Sequence, residues 1–536
     1  MRLIASFFSA IFTLICCASS FHLYAQTGAF DQSFGDNGMV TPDIDGLTAR
    51  SHSIAVQPDS RILLGGSTWN PHLLILLRLL PDGSPDNSFG IDGKVKTLLE
   101  LGNSFIFSAK TLVQPDGKII QVGDLDGATG NSKFFLVRYN SNGSLDNTFG
   151  NAGKKIITGS TGSLANIRYA QLQPDGKIVL SGSLYSAATG QDIVVFRVLP
   201  NGDMDDTFGD NGKVLTNLGT ANEAGWVLAL QPDGKILVAG YKGALTSQNS
   251  MFLLRYLSDG SLDSTFGSGG INTLSFSETQ DQPNAMHVMP DSSILLTGAF
   301  QIPQGNYDFV LIRCKADGAL DTSFGDGGIL RYDMSPGYDI SSRIVLQSDG
   351  KIVLVGWSGG FIGIGPPRLT LLRLNADFTP DSTFGVNGVL KAGVDNGLEN
   401  EGIPYDAALQ PDGKIVIVDD EAENSSGQYV FCALRVLTGP YVGVLDFSSP
   451  ANEVLLYPNP VESEATIEYT LEREEQLSIT LHDMNGKLLR DFMTGQKREA
   501  GEHREILSMP ASLAPGVYVL NIGNGKRSIA VKLIKR

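Results

Sequence analysis

Few side chains in these 536 residues have the types and spacing that covalent chemistry needs. His52, His72 and His287 lie far apart, with no metal-ligand spacing and no Glu-x-x-His around them. No Gly-x-Ser-x-Gly elbow occurs, and neither Cys314 nor Cys432 has a histidine placed to activate a thiolate. The sequence therefore gives no catalytic residue, no metal site and no cofactor. Carboxylate pairs that cleave glycosides stand about 5 to 10 Å apart in space, a separation that leaves no mark on a sequence.

Arginine and aspartate do recur. Arg78, Arg138, Arg197, Arg255, Arg313 and Arg373 each precede an aspartate by eight residues, at Asp86, Asp146, Asp205, Asp263, Asp321 and Asp381. Binding groups usually break a repeat, whereas these define one, so they read as partly buried, mutually satisfied pairs. Turns such as Asp210-Asn-Gly and Asp326-Gly-Gly lack the alternating acids and closing Glu of a dedicated calcium loop, and read as plain turns. The acidic run from Asp419 to Glu423 reads as a solvated loop. Aromatic rings that stack on sugars remain as candidates, at Trp69, Tyr185, Tyr241, Phe300, Tyr307 and Trp357. The same rings could instead pack beneath their own loops.

What must position them is a repeat. A Phe-Gly pair stands at Phe34, Phe89, Phe149, Phe208, Phe266, Phe324 and Phe384, at intervals of 55 to 60 residues. An Asp lies three residues before each Phe, a Ser or Thr one before, and a Gly four after. Arg435 is a seventh arginine with no Phe-Gly after it. Residues 212 to 263 display the internal grammar. Gly212-Lys-Val-Leu-Thr reads as a first short strand and Trp226-Val-Leu-Ala-Leu-Gln as a second. Pro232-Asp-Gly234 makes a turn, because Pro presets φ and Gly takes positive φ. Lys235-Ile-Leu-Val-Ala-Gly and Phe252-Leu-Leu-Arg-Tyr follow as third and fourth strands.

Seven units of four strands predict a seven-bladed β-propeller, since solenoid repeats are shorter and blades lie radially around a channel. Alternating strand directions then send the repeated turns to one face and the irregular segments to the other. One face is scaffold. The other is free to bind, and it carries the six candidate aromatics.

Composition limits the partners. A net charge of -17 repels phosphate backbones and excludes nucleic acid as an expected ligand. Charged residues are only 18% of the chain while glycines number 62, which suits short strands and tight turns. Residues 1–25, with Arg2 ahead of a short apolar run, read as a cleavable signal peptide rather than a membrane anchor, and no later segment is apolar enough to span. Cys314 and Cys432 then remain as two buried free thiols. The repeat stops near residue 438, and a Pro- and Gly-marked linker spans 438–453. Residues 454–536 alternate apolar and polar positions and predict a small antiparallel Ig-like β-sandwich, so the chain as a whole is all-β.

Two resemblances follow from these motifs. The pattern Leu-Asp-x-Thr-Phe-Gly, Leu-Gln-Pro-Asp-Gly-Lys and Phe-x-Leu-x-Arg-Tyr resembles the bacterial delta-60 repeat, which implies a propeller over residues 26–437 and no transferable activity. The tail is similar to the type A C-terminal sorting domain of type IX secretion in Bacteroidetes. The residues that carry this likeness are Tyr457-Pro458-Asn459-Pro460, Gly486 within Leu481-His-Asp-Met-Asn-Gly, and Gly516-Val-Tyr518. It implies export by the type IX machinery, removal of the tail by a sortase-like peptidase, and a mature protein secreted or anchored on the outer cell surface. The expected function is glycan or protein binding through the variable face. A polysaccharide hydrolase or lyase, and a purely structural surface component, are the alternatives.

Overall fold

The computed structural model describes residues 28–439 and 455–535, less the short stretches 100–104, 127–131, 159–164, 187, 220–221, 245–247, 277–280, 302–306, 361–366, 393–402, 420–428, 458–460, 472–473, 483–487, 511–512, 515 and 524–527. The described residues contain strands and turns and no helix. The expected signal peptide, most of the linker, and Pro458, Asn459, Pro460 and Gly486 lie outside them.

Seven antiparallel sheets are formed between Ala29 and Leu437. Blade four shows the plan: an inner strand Glu223–Leu230, then Ile236–Ala244, Gln248–Tyr256 and an outer strand Ile271–Leu274. The inner strands of blades one to seven are Ala49–Val56, Phe105–Val113, Ala165–Leu172, Glu223–Leu230, Asp281–Val288, Tyr338–Leu346 and Pro404–Leu409. Each touches the inner strand of the next blade, and Pro404–Leu409 touches Ala49–Val56, so the ring closes.

The phase of the unit needs correction. The strand after each Phe-Gly does not open a blade but completes the one before it: Lys213–Thr216 pairs with Gly190–Val198 as the outer strand of blade three. The reason is that the Phe-Gly connector is a compact turn returning the chain against the strand it has just left. Seen this way, Arg435 is no orphan. Its blade takes its outer edge from the N-terminus, where Ala29–Phe30 and Met39–Val40 both pair with Cys432–Leu437. The first and last strands of the propeller are thereby locked into one sheet.

Each seam between blades is filled by two neighbouring sheets and one repeated phenylalanine. Phe208, for instance, packs among Val179, Val195, Leu228, Val238 and Phe252. Phe34, Phe89, Phe149, Phe208, Phe266 and Phe384 are fully buried, and burying each contributes about 1.5–3 kcal/mol. Over each ring lies the arginine of the same blade, with its guanidinium 4.4–4.6 Å from the centroid for every arginine but Arg313. The expected ion pairs form: 2.7–2.9 Å in six blades, including Arg435 with Asp31, and 3.6 Å for Arg313 with Asp321. Arg197 also donates to the Ser258 carbonyl of the next blade and Arg255 to that of Ala316, so the motif is a clasp across the seam.

A second repeated device lies on the inner strands. All seven carry a β-bulge at the same place, between Gly225 and Val227 in blade four. Opposite six of the bulges stands a glycine, at Gly66, Gly123, Gly182, Gly240, Gly298 and Gly356, whose added Cβ would lie 1.8–2.1 Å from a bulge carbonyl oxygen. Only hydrogen fits there.

The tail forms two sheets around one core. Leu455–Tyr457, Glu464–Leu471 and Gly501–Ser508 make the first, and Glu475–His482, Leu488–Arg498, Gly516–Gly523 and Ser528–Lys535 the second. Ile467 and Leu507 from one face Ile479, Leu520 and Leu533 from the other.

Candidate functional site

The strand registers sort the loops. Leu230 pairs with Ile236 and Ile236 with Tyr256, so the Pro-Asp-Gly turn and the Phe-Gly connector leave blade four at one end. Glu223 pairs with Lys242, and Ala244 with Gln248, so the irregular segments leave at the other. The same order in every blade makes one face monotonous and one variable.

The six candidate aromatics are not equivalent. Trp69 is 55% exposed and Tyr185 40% exposed. Tyr307 and Trp357 are half-buried. Tyr241 and Phe300 are buried, at 6% and 2%, inside the second strands of blades four and five. Tyr241 packs on Trp226 and Phe300 on Phe276, so both rings are enclosed and have no free face for a sugar. The structure does not gather the six into one place, because they are spread over five blades, with Phe300 and Tyr307 sharing blade five.

It does build one aromatic cleft around Trp69, at the junction of blades seven, one and two. Arg50, His52, Ser67, Thr68, Trp69, His72, Phe105 and Phe107 are among its lining residues. Phe105 and Phe107 are 43% and 52% exposed. They alternate with buried Ile106 on the inner strand of blade two, which puts both rings on one side. Trp69 meets Phe105 edge-on at 6.0 Å, and His72 lies 4.7 Å from the same ring. The Arg50 guanidinium stands 3.9 Å from the Tyr429 ring centroid and 5.9 Å from that of Trp69.

Two polar atoms in this cleft are buried without a hydrogen-bond partner, Arg50 Nε and His52 Nδ1. Burial, with the Arg50 charge beside it, pushes the His52 imidazole down to about 4, so it is neutral at physiological pH. Phe105, Phe107, Arg50 and His52 were not among the sequence candidates. Phe105 and Phe107 form an aromatic-x-aromatic pair, a pattern that any half-buried strand can show.

The channel wall holds a different arrangement. Asp406, fully enclosed, is reached by Lys110 at 2.7 Å and Arg343 at 2.8 Å, side chains of blades two and six. Burial raises its pKa, but the two cations outweigh this and hold the carboxyl below its usual range. With Ile54 N also donating to it, this cluster cross-links the inner strands. Cys314 and Cys432 are buried and neither is joined in a disulfide, as expected, and burial pushes the Cys314 thiol up to about 12. In the tail, Tyr457 reaches Glu468, Gly516 opens a strand, and Tyr518 donates to the Ala514 carbonyl at 2.7 Å.

Comparison with known proteins agrees with this architecture. The family model described as a β-propeller domain of unknown function, DUF5122, matches residues 57–89, 114–149, 173–208, 231–266, 290–324 and 347–384. The seventh blade, split between residues 29–40 and 404–437, falls outside the matched ranges. The model of a secretion system C-terminal sorting domain matches residues 455–536. That domain marks the chain for type IX secretion to the cell surface, and no helix among the described residues is long and apolar enough to cross a membrane. Three solved structures are similar at low identity. A virginiamycin B lyase of Staphylococcus aureus is 10% identical over 74% of this chain and 98% of its own, with a TM-score of 0.41. PorZ, a surface component of the type IX secretion system of Porphyromonas gingivalis, is 12% identical over 91% and 70%, with a TM-score of 0.34. An α-L-arabinanase of Penicillium chrysogenum is 13% identical over 61% and 92%, with a TM-score of 0.38. No curated protein matches.

Proposed function

We propose that this chain, a β-propeller protein of DUF5122 repeats with a C-terminal sorting domain, binds a glycan at the cell surface through the Trp69 cleft and does not turn it over. The observation that carries this reading is the pairing of exposed rings with unsatisfied polar atoms. Trp69, Phe105 and Phe107 offer faces to the apolar side of a sugar, while Arg50 Nε and His52 Nδ1 await hydroxyl partners. Non-catalytic binding is supported by the lining itself, which among the described residues includes no Asp or Glu, whereas glycoside hydrolysis needs two carboxylates. Tyr185, Tyr307 and Trp357 would extend the contact surface to other blades.

The same reading assigns residues 1–25 to a signal peptide, 26–437 to the propeller, 438–453 to a linker and 454–536 to the sorting domain. Tyr457, Pro458, Asn459, Pro460, Gly486, Gly516 and Tyr518 would present that domain to the secretion machinery before a sortase-like peptidase removes it. An array of soluble glycans probed with the full chain tests the proposal, followed by product analysis on every hit. Binding without product supports it. Release of shortened glycan would instead make the protein a hydrolase or lyase, and silence with self-assembly would make it a structural component.

A further inference from the structure

Three aspartates from two blades meet on the variable face, away from the aromatic cleft. Asp308 immediately precedes the third strand of blade five, Phe309–Cys314, and Asp333 immediately follows its outer strand, Ile329–Tyr332. Asp339 is the second residue of the inner strand of blade six. One carboxylate oxygen from each lies within 4.8 Å of the other two. Asp339 is fully buried and fixed, accepting from Met334 N at 2.7 Å, Ser335 N at 2.8 Å and Ser335 Oγ at 2.6 Å. Asp308 is 7% exposed, yet its Oδ1 has no hydrogen-bond partner.

Packing alone does not account for this. A buried carboxylate oxygen without a donor is costly, and placing it beside two further carboxylates adds repulsion. Burial, then the Asp333 and Asp339 charges, push the Asp308 carboxyl above its usual range; burial pushes that of Asp339 up as well. Arg331 acts on Asp308 and Lys391 on Asp339 by charge, and Lys391 also donates to the Met334 carbonyl, yet Asp308 Oδ1 is left without a hydrogen-bond donor.

We propose that Asp308, Asp333 and Asp339 form a divalent-cation site, best fitted to calcium, which ties blade five to blade six. Calcium takes oxygen ligands at roughly 2.3–2.6 Å, so donors around one ion stand up to about 5 Å apart, as these do. The alternative use of paired acids, glycoside cleavage, needs a wider gap of about 5 Å or more with the sugar between them. Three formal negative charges on two chain segments suit a hard cation at the concentrations found outside a cell, where modules bind calcium at about 0.1–1 mM. The ion would give Asp308 Oδ1 its missing partner.

The test uses the full chain freed of metal with chelator. Calcium at about 1 mM is expected to raise its Tm by about 2 °C or more, with magnesium doing less. Without calcium, Asp308→Asn should melt no lower than the parent, because it relieves the repulsion; with calcium, the order should reverse. A second readout does not depend on stability. Tyr307 and Tyr338 adjoin two of the ligands, with ring centroids 4.9 Å apart, and should sensitise terbium luminescence at the site. Calcium should displace that signal, and Asp308→Asn should abolish it. A parent protein whose Tm ignores calcium, or terbium luminescence equal in parent and variant, would overturn the proposal.

Discussion

Arg313 departs from its six counterparts, and the cause is one residue twenty positions earlier. In six blades a Lys or Arg stands two residues after the turn aspartate, as Lys177 does after Asp175, and reaches toward the clasp. Blade five has Ser293 there instead, so Arg313 swings to Asp291 at 2.8 Å and loosens from Asp321. The Arg313 side chain is 26% exposed against 5% for Arg197. Arg197→Ala should therefore cost about 3 kcal/mol in urea unfolding, because it strands buried Asp205, while Arg313→Ala should cost about 1 kcal/mol. Equal losses would mean the clasp is not the seam's electrostatic anchor. The same residues set acid stability. Burial opposes ionisation of Asp205, but Thr207 and Arg197 outweigh it and bring its pKa to about 2. Its folded pKa lies below its unfolded one, so its contribution is complete above about pH 4 and lost as pH falls toward 2. His52, also lowered in the fold, loses its contribution as pH falls from about 6.5 to 4. Stability should thus decline in two stages on acidification, with Arg197→Ala blunting the lower one.

At the scale of the strand, most of the fold was legible because each motif repeats at a fixed distance and has one physical job. The Pro-Asp-Gly turns, the seam phenylalanines and the Arg-Asp pairs all sit where their chemistry requires. The phase of the blade was not legible, since a turn that folds back on its own strand and one that moves to the next blade have the same local sequence. Nor was the role of Gly240 and its counterparts, which looked like ordinary strand glycines until the bulge carbonyl opposite was seen. Gly240→Ala would place Cβ 1.8 Å from the Ala224 oxygen and 2.7 Å from Phe252. It should cost about 3 kcal/mol or more, whereas Gly234→Ala, strained only by its φ of +85°, should cost about 1 kcal/mol. Thermal unfolding of the two variants decides whether the bulge is a fixed feature of the blade.

For the whole molecule, the repeat made the two faces legible and left the binding residues obscure, for one reason. A repeat reveals what blades share, and a site is made of what they do not share. Trp69 was visible as an aromatic in an irregular segment, but Arg50 and His52 come from the inner strand of its own blade, Phe105 and Phe107 from that of the next, and only ring closure brings Tyr429 against Arg50. Closure itself depends on Ala29–Phe30 and Met39–Val40 completing the seventh blade, a partnership spanning some four hundred residues. The most direct measurement is the affinity of an array-selected glycan for the parent, Trp69→Ala and Ile91→Ala, by titration calorimetry. Ile91 is 78% exposed on the face of repeated turns and serves as the matched control. Trp69→Ala should weaken binding about tenfold or more, equivalent to about 1.4 kcal/mol, with Ile91→Ala unchanged. Binding that survives loss of Trp69, or fails with loss of Ile91, would contradict the division of labour between the two faces.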